Sequence, residues 1–223
     1  MKNFLPFAVL VLWMGIFATA CNSFSTTIQS SGNYITETRS VQSFNAVTIG
    51  GNAHVNIARD GTESLTITIA DNVMPHMQIE VNNGRLYVQP KPNLIIENDR
   101  GYTVTLTVKN LESLHLSGNS NARVNGIETT QWKAELNGNC FAALNGSAVK
   151  QEIVVDGNSF YDAANLTSSQ ATVQADGNSH VTIRVSDKLD ATVKGLSSVE
   201  YIGNPYINHK VENLASLKQR MPN

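Results

Sequence analysis

One phrase returns four times in the second half of this chain. It reads Leu116-Ser117-Gly118-Asn119-Ser120, Leu136-Asn137-Gly138-Asn139-Cys140, Val155-Asp156-Gly157-Asn158-Ser159 and Ala175-Asp176-Gly177-Asn178-Ser179. A degenerate copy follows at Val193-Lys194-Gly195-Leu196-Ser197, and an isolated one stands earlier at Ile49-Gly50-Gly51-Asn52-Ala53. From Gly118 onward the glycines are 20, 19, 20 and 18 residues apart. A period of this size, kept over successive copies, belongs to stacked architectures in which one unit cannot bury its apolar face without its neighbours.

The flanks alternate. Apolar residues lie two and four before each Gly (Leu116 and Leu114, Leu136 and Ala134, Val155 and Ile153) and four and six after it (Ala122 and Val124, Ala142 and Leu144, Val181 and Ile183). Each side therefore reads as a half-buried strand with period two. A two-residue hairpin at Gly-Asn would set Leu114, Ala134 and Ile153 on one face with Arg123, Ala143 and Asp162, mixing apolar with polar. A corner between two sheets removes that conflict, because Gly supplies an unusual φ and Asn tolerates the left-handed region. The expectation is an all-β, single-stranded β-solenoid of roughly 20-residue coils with Gly-Asn corners, each coil adding a parallel rung about 4.8 Å above the last. Stacking makes columns: asparagines 119, 139, 158 and 178 form an amide ladder, and the small residues Ser120, Cys140, Ser159, Ser179 and Ser197 fill the inside of the corner. Cys140 is then a small buried apolar residue.

Residues 58–115 are less regular. Strands are expected over 64–70, 77–81, 85–89 and 102–109, with a tight turn at Asn82-Asn83-Gly84. The interval from Gly51 to Gly118 has room for about three further coils or an inserted hairpin. The tail from residue 208 is polar, and Val211, Leu214 and Leu217 suggest a short capping helix.

At the other end, Lys2 precedes an apolar run over residues 4–17 and then Ala18-Thr19-Ala20-Cys21. This is the pattern of a signal peptide over residues 1–20. The small residues fit ordinary secretory cleavage, while a Cys directly after them resembles a bacterial lipobox. The reading favoured is acylation of Cys21, followed by a tether over residues 21–40, with ordinary cleavage and a free Cys21 as the alternative. A net charge of −2, with basic residues scattered, gives no field to attract nucleic acid. No zincin, Walker, nucleophile-elbow or C-x-x-C pattern is present, and neither a metal nor another cofactor is expected.

Phe44-Asn45-Ala46-Val47-Thr48-Ile49, the Gly-Asn repeats and the closing Tyr201-Ile202-Gly203-Asn204-Pro205 together resemble the autotransporter adhesin head known as the GIN domain, over roughly residues 41–207. The resemblance implies an exported, β-helical bacterial head domain, often on a lipoprotein, and brings no catalytic motif with it. No autotransporter barrel accompanies it, so self-translocation is not expected.

Two columns are candidates for chemistry. Asp156 and Asp176 hold the same place before the Gly, roughly 5 Å apart on adjacent rungs. Such a pair can do acid–base work on a polysaccharide or hold Ca²⁺, or it is a solvated ladder at a corner. Three residues after the Gly, Phe141, Phe160 and His180 form an outward ring stack suited to sugar rings or a protein partner, or to bracing its own sheet. The function expected is a non-enzymatic envelope lipoprotein, anchored in a membrane by its N-terminal lipid and binding an envelope glycan or surface protein. A carbohydrate-active enzyme using Asp156 and Asp176, and a purely structural envelope component, are the alternatives.

Overall fold

The computed structural model describes residues 25–97 and 100–221. Apart from one short 3-10 turn, Met74–His76, the regular structure among these residues is all strand. The first ten strands are short: β1 (Thr26–Gln29), β2 (Tyr34–Arg39), β3 (Ala46–Ile49), β4 (Ala53–Arg59), β5 (Ser64–Ala70), β6 (Met77–Asn82), β7 (Arg85–Pro90), β8 (Leu94–Glu97), β9 (Tyr102–Val108) and β10 (Ser113–Gly118). Four long strands follow, each running from one Gly-Asn corner to the next or nearly so: β11 (Asn121–Gly138), β12 (Phe141–Gly157), β13 (Phe160–Ala175) and β14 (His180–Val193). The last three are β15 (Ser198–Ile202), β16 (Tyr206–Val211) and β17 (Ser216–Gln219).

The repeats lie one above another, parallel and in register. Leu116 pairs with Leu136, Leu136 with Val155, Val155 with Ala175 and Ala175 with Val193, and on the far side of the corner Asn121 pairs with Phe141, Phe141 with Phe160 and Phe160 with His180. This is the winding that the alternation of side chains required, and it excludes the hairpin. The apolar columns on both sides of the corner point inward and form one continuous core. Nine strands lie side by side before the corner, from β6 through β7, β3, β10, β11, β12, β13 and β14 to β16. Eight steps of strand spacing make the stack about 40 Å long.

The corner itself has a simple cause. The amide of the residue after each Gly donates to the carbonyl of the Gly one rung back: Asn139 N to Gly118 O at 2.8 Å, Asn158 N to Gly138 O at 2.7 Å, Asn178 N to Gly157 O at 2.7 Å. Those bonds draw the two backbones so close that a Cβ on Gly138 would lie 2.6 Å from Gly118 O. Its φ of 112° is also one that side-chain-bearing residues rarely adopt. Inside the turn the small residues are buried and hydrogen-bonded. Ser179 Oγ donates to Asp176 O at 2.6 Å, Ser159 Oγ donates to Gly138 O at 3.0 Å and accepts from Cys140 N at 3.1 Å, and the Cys140 thiol faces Asn137 O at 3.5 Å. Burial raises the Cys140 thiol above its ordinary pKa, which keeps it protonated and unreactive. One step of the expected amide ladder closes, Asn178 Nδ2 to Asn158 Oδ1 at 2.8 Å, and Asn119 Nδ2 bonds instead to Asn52 Oδ1, on the rung before the ladder, at 3.1 Å.

One polar network crosses the interior. Trp132 Nε1 donates to Tyr161 Oη at 3.0 Å, Tyr161 Oη donates to Gln151 Oε1 at 3.2 Å, and Gln151 Nε2 donates to Ser168 Oγ at 3.0 Å. Ser168 Oγ in turn donates to the Arg184 carbonyl at 2.9 Å. Trp132, Gln151 and Tyr161 are at most 1 % exposed, so water cannot substitute for any member. Burial pushes the Tyr161 phenol above its ordinary pKa and keeps it a donor.

The first third of the domain departs from sequence order. The rung made by β3 and β4 is flanked on one side by β7 and β9 and on the other by β10 and β11. The interval between Gly51 and Gly118 therefore holds one further coil, β7 with β9, and also a hairpin, β6 with β7, rather than three coils. Antiparallel strands finish this end: β6 edges one sheet, and β5 followed by β2 edges the other. Residues expected as tether are in part structured. β1 pairs in parallel with β8, and β2 pairs with β5. Cys21 and the leader lie outside the described residues. The tail also differs from expectation, since residues 206–219 form β16 and β17 in place of a helix. Ile207 stacks on Leu189, Val211 on Val193 and Leu217 on Val199, which continues the columns. The three-residue spacing of Val211, Leu214 and Leu217 straddles a turn, where Asn213 has φ of 64°.

Two substitutions test this account. Gly138→Ala meets both the left-handed strain and the Gly118 carbonyl, and is expected to cost at least about 2 kcal/mol in urea unfolding. Tyr161→Phe leaves the Trp132 donor and the Gln151 acceptor without their shared partner, and is expected to cost about 1–3 kcal/mol by the same measurement.

Candidate ligand-binding face

Outward positions of the sheet that follows the corner carry the aromatic column. Phe141, Phe160 and His180 are register partners on β12, β13 and β14. Phe160 is 48 % exposed, while Phe141 and His180 are half-buried. The Phe160 and His180 rings lie 5.8 Å apart, centroid to centroid, at 40° to each other. That is a tilted arrangement, with about half of the Phe160 side chain left in contact with solvent. Beside this stripe, Arg123, Asn125, Asn145, Asp162 and Asn165 line a shallow hollow of about 110 Å³. Asn145 is held in place from both ends of its amide: its Oδ1 accepts from Gly126 N at 2.9 Å and its Nδ2 donates to Asn125 Oδ1 at 2.7 Å. Asp162 Oδ1 accepts from Ala164 N at 3.1 Å. A half-exposed ring beside held amides, a carboxylate and a guanidinium offers apolar contact to a ligand ring and hydrogen bonds to its substituents.

The Asp column is built differently. Asp156 Oδ1 accepts the amide of Gly157 and Asp176 Oδ1 that of Gly177, both at 2.7 Å. Each exposed carboxylate thus turns back onto its own corner. Among the described residues no group of three His, Cys, Asp or Glu side chains is placed to hold a metal ion.

A second concavity lies on the outward face of the other sheet. Thr48, Arg85, Tyr87, Ser113, His115, Lys133, Glu135 and Glu152 line a trough of about 470 Å³. Lys133 Nζ lies 3.1 Å from Glu152, and His115 Nδ1 lies 3.2 Å from Glu135. Arg85 reaches Thr48 Oγ1 at 3.2 Å and Ser113 Oγ at 3.3 Å. The amide of Asn137, and after it His115, hold the Glu135 carboxyl below the usual carboxylate range. Sequence reading passed over this trough, although His115 and Glu135 share one offset, three residues before their glycines, and Ser113, Lys133 and Glu152 share another. The signal lies in the polar columns three and five residues before the Gly.

Replacing Asp156 and Asp176 together by Asn preserves an acceptor for each corner amide. The double variant is expected to match the parent in urea unfolding within about 0.5 kcal/mol.

Comparison with known proteins agrees with this architecture. Among solved structures, a putative adhesin from Bacteroides fragilis is 21 % identical over 87 % of this chain and 96 % of its own, with a TM-score of 0.64. A putative lipid binding protein from Parabacteroides distasonis is 16 % identical over 87 % of this chain and 100 % of its own, at 0.53. A putative adhesin from the same species is 17 % identical over 88 % and 100 %, at 0.51. At such identities the likeness is one of fold. No curated protein matches the chain. The profile of one family does match, over residues 43–205, the span of nearly all the coils described above. This chain therefore belongs to the family described as putative auto-transporter adhesin, head GIN domain.

Proposed function

We propose that this protein is a non-catalytic binding module of the bacterial cell envelope, exported by its N-terminal leader and anchored by a lipid on Cys21. Its ligand is an envelope glycan or a surface protein, taken up along the Phe141, Phe160 and His180 column. The observation that carries the reading is the open Phe160 ring on a rigid rung, 48 % exposed and set against His180. A large apolar ring held out from a sheet costs solvation and gains nothing for the core. The amide-lined hollow beside it supplies the polar contacts that orient a ligand on such a platform. Membership in an adhesin head family is consistent with capture at a surface. The competing reading, glycan cleavage by Asp156 and Asp176, has less support, because each carboxylate already serves its own corner amide.

The test is a binding screen of the purified mature protein against envelope glycans and surface proteins. A saturable ligand is expected, with Kd raised at least tenfold, about 1.4 kcal/mol, in the Phe141→Ala, Phe160→Ala double variant at unchanged melting temperature. Equal affinity in parent and variant refutes the column as the site. Release of soluble glycan fragments, abolished by Asp156→Asn with Asp176→Asn, establishes the enzyme instead.

A further inference from the structure

The first of the described strands is pinned to one end of the stack. β1 pairs with β8, which occupies the stretch between β7 and β9 where later rungs have their corner. Thr26 N donates to Asn93 O at 2.8 Å and Ser30 N to Glu97 O at 2.9 Å. Ser31 N donates to Asn72 Oδ1 at 2.9 Å, and Asn72 Nδ2 donates to Gln29 O at 2.8 Å. Arg100 N donates to Tyr34 Oη at 3.2 Å, which ties the start of β2 to the same place. Only Asn22, Ser23, Phe24 and Ser25 separate Cys21 from the paired Thr26. Five residue steps span no more than about 18 Å even when fully extended. That is less than half the length of the stack, so an anchor at Cys21 holds the antiparallel end near the bilayer.

The surface at that end fits such a neighbour. In the β1/β8 ribbon Ile28 and Ile96 are half-buried, while Thr27 and its register partner Ile95 face out. Ile95 is 48 % exposed and Tyr34 36 %. Both stand on segments joined by the hydrogen bonds above. Charges nearby in sequence are of both signs, with Lys91 and Arg100 against Asp71, Glu97 and Asp99. Apolar side chains with a tyrosine and little net charge suit the interface of a zwitterionic bilayer.

From this we infer that the β1/β8 ribbon, with Ile95 and Tyr34, rests on the surface of the membrane that carries the anchor, so that the antiparallel end lies against lipid and the β16/β17 end points away. The inference rests on the lipid anchor proposed above. So small an apolar patch does not hold a protein to lipid unaided; the anchor supplies the effective concentration that lets the contact form.

The test uses the full-length protein, matured in a bacterial host and reconstituted into phosphatidylcholine vesicles with or without brominated acyl chains. Ile95→Trp and Thr27→Trp place reporters on the ribbon, and Leu214→Trp, at a 79 % exposed site of the opposite end, is the reference. Of the two native tryptophans, Trp13 leaves with the leader on maturation, and the fully buried Trp132 supplies a constant background. Bromine is expected to quench the added fluorescence at positions 95 and 27 at least twofold more than at 214. Mass spectrometry of the same samples separates two failures. An acylated Cys21 with equal quenching at both ends overturns the contact, whereas a Cys21 without acyl groups overturns the anchor and the contact together.

Discussion

A single hydrogen bond, repeated at successive glycine corners from Gly51 to Gly195, sets the terms for the rest of this molecule. The carbonyl of one rung's glycine accepts the amide of the residue after the next rung's glycine, and the approach leaves no space for a β-carbon. Because the contact is between backbones, it fixes register without reference to side chains. The residues around it are then free to differ from rung to rung, provided that each obeys its place: small inside the turn, apolar two and four positions away, unconstrained on the outward positions. Register in turn decides what lies beside what. Phe160 meets His180 and His115 meets Glu135 because each pair shares a distance from its glycine.

The two ends of the stack are finished by different means. At one, antiparallel strands β2, β5 and β6 cover the rungs, so the parallel ladder does not stop at an exposed coil. At the other, β16 and β17 are the outermost strands and carry Lys210 and Lys218. Lysines on an edge discourage pairing with another chain, because the partner would have to take up their charge. The sides and the ends are thereby given separate work, with the sides presenting columns and the ends limiting growth.

How much of this was legible follows from where information is repeated. The coils after Gly118 were readable because each column is sampled four or five times, and the aromatic stripe came with them by counting from the glycine. Residues 26–39 looked like a tether because β1 is held largely through its backbone to β8, and Thr26, Thr27 and Gln29 have no apolar alternation to betray a strand. The β7–β9 coil was hidden for a related reason: residues 91–101 carry an inserted strand where the Gly-Asn phrase would stand. In the tail, a chance spacing of three across a turn imitated a helix. The trough around Arg85 escaped because its members change chemical type at every rung, so no column announced itself.

The placement of the β3–β4 rung has a temporal consequence. Both of its neighbours come later in the chain, one from residues 85–108 and the other from residues 113–125. A polypeptide delivered N-terminus first cannot lay down this stack from the bottom upward. Its earliest winding waits, with both edges bare, until some seventy further residues have emerged to sandwich it. Such long-range pairing is slow to form and open to misassociation while it waits. Assembly in this protein is therefore closer to the closing of a clasp than to the coiling of a spring.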